Sequence, residues 1–239
     1  MARRIGITIV WAVLFGCPLL APAHARAAVT SADLSTPAKA LAAFCKALGN
    51  GETADLAVVS VGDAKVQDWV CAEAGQLKAL KDLETALSNR FGANYAASDK
   101  GKEALDRIAE ARDDDLHTDL ANAPLREIKG DEVILEIDEA KPEDHQGRLV
   151  RVGGRWKVDL ASLSDYMVPA DVPVMKAVAG AAATLARDVT SGKFATIDDA
   201  ADAIDERLSA AIDAALPNPA PATQESPRGT RPRQAPGSR

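Results

Sequence analysis

Residues Asp113-Asp114-Asp115-Leu116-His117-Thr118-Asp119 gather four carboxylates and an imidazole within seven positions. On a helix Asp113 and His117 are neighbours at i, i+4, and so are Asp115 and Asp119. A His-Asp dyad can act as a general base, and clustered carboxylate oxygens can hold a hard cation. His117, with Asp113 or Asp119, is therefore the catalytic candidate. The bland alternative is a solvated helix face beside the buried Leu116 and Leu120, which is what charge runs usually are. The spacing lacks the mid-loop glycine of a calcium-binding hand. His145 lies in a charged connector and His24 near the start of the chain, so no metal-ligand set and no cofactor is expected. No Gly-x-Ser-x-Gly, metalloprotease motif or phosphate-cradling glycine loop is present.

Cysteine is the other reactive side chain. Met1 to Ala25 reads as a secretory leader: Arg3 and Arg4 come first, Ile5 to Leu20 is apolar, and Ala23-His24-Ala25 is a small-x-small cleavage site. Ala25-Arg26-Ala27 is a second such site. The apolar run is short for a bilayer span and ends at Pro18 and Pro22, so no stable span is expected after cleavage. Lipidation at Cys17, in a loose lipobox Leu14 to Cys17, is the lesser alternative. The chain should be exported, to a periplasm or the exterior. Cys45 and Cys71 then remain as a disulfide candidate, with two free thiols as the equal alternative.

The elements that position these groups follow from periodicity. Thr36 caps a helix with Pro37 at its first turn, and Leu41, Phe44, Cys45 and Leu48 form its apolar stripe. Glu52 to Val61 reads equally as a short helix or a brief strand. Asp63 opens a long helix to about Phe91, with the stripe Val66, Val70, Leu77, Leu80, Leu87 and Phe91 widened by Trp69 and Leu83. A third helix is expected over Gly101 to Ala121. Two β-hairpins follow, turning at Gly130-Asp131 and at Gly153-Gly154. Glu139 to Gly147 connects them. Asp165 to Pro173 reads as a linker. Val174 to Thr190 and Ile197 to Leu216 read as a helical hairpin with a capping-box-like start at Thr196. The tail 217–239, rich in Pro, Ser, Gly and Arg, is expected to be disordered.

The whole chain carries a formal charge of −7. Leader and tail are both basic, so the body between them is more acidic than the whole. Together with a 4% aromatic content, this argues against nucleic acid and anionic membrane surfaces as partners.

Two segments resemble a known family. Thr36 to Glu52 closes its apolar helix on Gly49-Asn50-Gly51-Glu52, similar to the ALxxGD close of the first helix in the nuclear-transport-factor-two-like superfamily, also called SnoaL-like or the cystatin-like cone. Gly153-Gly154-Arg155-Trp156-Lys157-Val158-Asp159 is similar to that family's terminal strand. The resemblance implies an α+β fold: helices on a curved antiparallel sheet of about four strands spanning 30–165, here followed by a C-terminal helical hairpin, 166–216, packing on it. The family includes enzymes such as ketosteroid isomerases and scytalone dehydratase, ligand carriers and interaction modules. Its enzymes project acid-base groups into the cone.

In this chain Val133, Leu135, Ile137, Val150, Val152, Trp156 and Val158 are expected to line that inner face, with no acid, His or Tyr among them. Glu136, Asp138 and Asp159 fall opposite. The sequence therefore points to a non-catalytic exported domain that binds a partner protein or a small apolar ligand. The alternatives are an isomerase or dehydratase using the His-Asp dyad, and a structural or stress-related periplasmic protein tethered by its tail.

Overall fold

The computed structural model describes residues 29–92, 95–112, 115–137 and 146–216. The leader with Cys17, Asp113, Asp138, His145 and the tail from Pro217 lie outside the described residues, as does the side chain of His117. The element order is α1 (Pro37–Asn50), α2 (Thr53–Val59), β1 (Ser60–Val61), α3 (Ala64–Phe91), α4 (Asp99–Glu110), α5 (Asp115–Asn122), β2 (Leu125–Lys129), β3 (Glu132–Glu136), β4 (Gln146–Val152), β5 (Arg155–Asp159), α6 (Val172–Thr190) and α7 (Ile197–Ala215). Helices begin where side chains satisfy the orphan amides of the first turn. The Thr36 hydroxyl accepts from the Lys39 amide, and one Asp63 carboxylate oxygen accepts from both Lys65 and Val66. Thr196 and Asp199 form a reciprocal capping box at α7.

The sheet is mixed and open. Its order is β1-β5-β4-β3-β2, antiparallel except for the two-residue β1, which runs parallel to β5. The four expected strands are joined by this fifth one. The stretch that read as helix or strand is both: α2, then β1. The expected cone does not close, because β1 and β2 end the sheet on opposite sides.

The hairpin of β4 and β5 turns through Gly153 and Gly154 at φ 58° and 79°. Glycine enters this left-handed region without the Cβ clash other residues meet. A two-residue turn pairs Val152 with Arg155, so Arg151 pairs with Trp156 and Leu149 with Val158. Leu149 is therefore the buried residue of β4, while Val150 is half-buried and Val152 is 46% exposed. The expectation that Val150 and Val152 share a face with Trp156 is corrected: they sit on the wet face with Arg155 and Lys157. A one-residue phase difference moves every side chain of a strand to the other side. Inward-facing Gly147 lets the sheet close on its neighbours. A Cβ there would meet Leu163 at 2.9 Å and Leu135 and Ile137 at 3.1 Å.

The expected helix over 101–121 is two helices. In a continuous helix the Ala111 carbonyl would accept from the amide four residues on, at Asp115. It accepts instead from the Gln76 side chain of α3. Helix α5 begins at Asp115, and the pairing expected between Asp113 and His117 lies outside the described residues.

Two hydrophobic cores are strung on α3. Its N-terminal half, from Trp69 to Leu77, packs with α1, α2, α5 and the inner sheet face. Its C-terminal half, from Ala79 to Leu87, packs with α4, α6 and α7. The C-terminal helical hairpin thus lies along α3 and α4 rather than over the sheet. The expected linker 165–173 is largely two short 3-10 turns that lead into α6. Among the described residues no single helix is long and apolar enough to cross a membrane.

Candidate functional site

The most unusual chemistry lies on α3. Trp69, Glu73 and Gln76 follow one another at i, i+4, i+7, which puts them on one helix face. All three are buried, with exposures of 6%, 1% and 6%. Glu73 sits between the apolar turns of Val70 and Leu77. Burying a carboxylate costs several kcal/mol before its interactions offset that, so carboxylates are seldom found at such depth. Gln76 donates through Nε2 to the Ala111 carbonyl, which ties this face to the α4–α5 junction. The Trp69 indole Nε1 and the Gln76 Oε1 are buried with no hydrogen-bond partner among the described residues. Such atoms are rare in folded proteins and call for an explanation.

The sequence carried a signal for this face. A stripe drawn from Val70 directly to Leu77 skips one turn, and Glu73 and Gln76 fill the positions that a continuous stripe would give to apolar residues.

Of the expected catalytic group, only the Asp119 side chain lies among the described residues. Asp119 is exposed on α5, whose Leu116 and Leu120 are buried in the sheet core. Among the described residues, no group of three or more His, Cys, Asp or Glu side chains could hold a metal ion.

Of the residues expected to line a cone, Val133, Leu135, Ile137, Trp156 and Val158 are buried in the sheet core, packed with Leu149, Leu160 and Leu163. A groove does open at the sheet's β2 end. About 340 Å³ in volume, it is lined by Thr36, Pro37, Ala38, Leu125, Val133 and Trp156. Leu125 is 39% exposed although it belongs to a strand. Strand β2 pairs with β3 on one side only, and its register breaks between Glu127 and Lys129. The groove's side chains are mainly apolar, and among the described residues the strand edge it adjoins has no partner.

Two further clefts are lined by charged side chains. One, of about 460 Å³, lies between the lead-in and α1, where Val29, Ala42 and Ala43 are ringed by Thr30, Asp33, Lys39, Lys46 and Glu52. Hydrogen bonds from the Thr30 amide and hydroxyl hold the Asp33 carboxyl below its ordinary range. The other lies between α4 and α7 and is laced by ion pairs: Lys100 with Glu103 and Asp202, and Arg107 with Glu110 and Asp205. Exposed pairs of this kind add little stability.

Cys45 and Cys71 are free thiols, so the structure does not contain the candidate disulfide. Cys45 is buried in the sheet core, and that burial pushes its thiol up to about 11. Cys71 is half-buried on α3, next to the Asp68–Lys176 ion pair that joins α3 to α6. Its thiol is raised by burial and by Asp68, with Lys176 opposing. Neither is an activated thiolate of the kind that catalysis uses.

Comparison with known proteins supplies no relative: no family model, no curated protein and no solved structure matches this chain.

Proposed function

We propose that this chain is a non-catalytic exported domain that binds a partner protein, and that an extended segment of that partner adds to β2. The reading is supported above all by the apolar groove at Leu125, Val133 and Trp156, continuous with an unpaired strand edge. Strand addition draws affinity from backbone hydrogen bonds and specificity from pockets for alternate side chains. The register break beyond Glu127 limits the available edge to its first residues, which keeps the edge from pairing indiscriminately. A small apolar ligand inside the sheet is less well supported, because Leu135, Leu149 and Val158 pack against one another there with no exposure. The order of helices, then antiparallel strands ending in a Gly-Gly-Arg-Trp-Lys-Val hairpin, supports membership of the nuclear-transport-factor-two-like superfamily, in which interaction modules occur.

A photoreactive residue at position 125, in the protein expressed in its own export compartment, should give one adduct of defined mass. Ala38→Arg, an exposed change that fills the groove, should abolish it. An adduct indifferent to Ala38→Arg, or an equal adduct from Val61 at the opposite edge, would overturn the reading.

Glu73 favours a second reading, an isomerase or dehydratase that moves a proton within an apolar site. Here the buried carboxylate of α3 takes the acid-base role in place of Asp113 or Asp119, and the unpartnered Trp69 and Gln76 atoms meet the substrate. Glu73→Gln should then abolish turnover of a small substrate while leaving the fold intact. A folded Glu73→Gln protein with unchanged turnover would remove Glu73 from the mechanism.

A further inference from the structure

We infer that the partner segment docking on β2 carries an acidic side chain opposite Arg126, next to an apolar residue opposite Leu125; this rests on the docking edge proposed above and adds the chemistry of its occupant.

Backbone phase decides which groups of β2 are available. Along an antiparallel strand the N–H and C=O groups turn alternately toward one neighbour and the other. The Glu136 amide donates to the Pro124 carbonyl at 3.1 Å, and two residues on Arg126 stands opposite Ile134. Pro124 and Arg126 therefore turn their backbone toward β3, while Leu125 and Glu127 turn theirs to the outer edge. Among the described residues nothing pairs with that edge. The other side of the sheet is covered: β1 runs along β5, and the Trp156 amide donates to the Leu34 carbonyl at 3.0 Å. On β2 the register breaks between Glu127 and Lys129, so the usable edge is Leu125 to Glu127, with two outward residues flanking Arg126. A docking strand must offer an N–H opposite each of them, which excludes proline at both places.

Residues directly opposite each other on antiparallel strands put their side chains on the same face. Leu125 lies opposite Leu135, on the face that holds the groove. A partner residue opposite Leu125 turns its side chain to that face, beside Val133 and Trp156, where an apolar group fits. Arg126 lies opposite Ile134 on the outer face, and its side chain is 75% exposed. Its ion pair with Glu136 is 3.5 Å long, and the guanidinium has five donors, enough for a second carboxylate. Opposite charges facing each other across strands favour pairing, and like charges oppose it. The same rule disfavours a second copy of this chain. Two β2 strands related by a twofold axis and bonded through both outward residues would set Arg126 against its own counterpart.

The test uses the full chain with a photoreactive leucine analogue at position 125, in the cells that make it. Arg126→Glu should cut the adduct roughly tenfold, and Arg126→Lys should keep it. Arg126→Glu combined with Glu136→Arg restores the pair between β2 and β3 while still facing the partner with a carboxylate, so it should lose the adduct as well. The partner peptide joined to position 125 should carry Asp or Glu next to the linked residue. An adduct that survives Arg126→Glu, one rescued by the double variant, a linked peptide without an acid, or an adduct of twice the chain's own mass would each overturn the acidic occupant. If the unaltered chain gives no adduct from 125, the docking edge itself fails, and its occupant with it.

Discussion

The two halves of α3 live in different surroundings. From Ala79 to Leu87 the helix packs with α4, α6 and α7 in a core whose buried members are all apolar among the described residues. From Trp69 to Leu77 it packs with α1, α5 and the sheet, and every buried polar residue of the described chain (Ser60, Glu73 and Gln76) lies on this side or at its border. An apolar core is the cheapest way to fix a scaffold, while buried polar groups are retained where something else requires them. The helical half thus reads as support and the sheet half as the working part, with the groove at β2 on the same side.

The comparison can be broken by large effects first. Leu83→Ala or Leu87→Ala, each at a fully buried position in the helical core, should cost about 2–5 kcal/mol. Trp69 and Trp156 both belong to the sheet core. With Trp11 replaced by Phe, tryptophan fluorescence reports on one half of the molecule, and far-UV circular dichroism mainly on the helices. If α3 makes the two cores one cooperative unit, both signals will shift together in urea. Separate transitions would mean that the halves are independent domains.

At the hairpin, Gly154→Val forces a β-branched residue to φ 79°, and should cost roughly 1–2 kcal/mol by the same unfolding measurement. Trp69→Phe probes the sheet core more finely. It removes a buried donor that has no partner, so stability should change by less than about 1 kcal/mol. A larger loss would mean that the indole N–H is bonded in solution and is part of the support.

The smallest effect is a pH dependence in the helical half. Arg207 and Lys193 bond the Asp188 carboxylate and hold it below its ordinary range. A depressed carboxyl contributes stability above its unfolded value and loses that contribution as pH falls through the folded one. Asp188→Asn should therefore lower stability slightly at neutral pH, with the difference fading as pH falls below about 4. An effect that grows on acidification would contradict this pairing.

Much of the architecture was legible in the sequence, and the exceptions have physical causes. The caps at Thr36, Asp63 and Thr196 marked three helix starts, because capping is local chemistry. Strand β1 was readable only as an alternative to helix, since two residues carry no period and its partner β5 is about a hundred positions away. The break before α5 was hidden because it depends on Gln76 taking a carbonyl from a distant helix. The phase of β4 was legible but misread. A two-residue Gly-Gly turn already fixes Val152 opposite Arg155, and that rule outranks the appeal of two valines in alternation. The candidate site was harder to read because Asp113 to Asp119 looked richer than a lone Glu73. Burial, which no run of acids reveals, makes Glu73 the more informative carboxylate.

The central claim, that the sheet half is the working half, is tested most directly by a photocrosslinking scan in the cells that make the protein. Reactive residues would be placed at positions 38 and 125 beside the groove, at 61 on the far sheet edge, and at the exposed positions 187 and 206 of α6 and α7. The account predicts a common adduct from 38 and 125 and none from the other three. Adducts from 187 or 206, with none from 125, would make the helical hairpin the binding surface and contradict it.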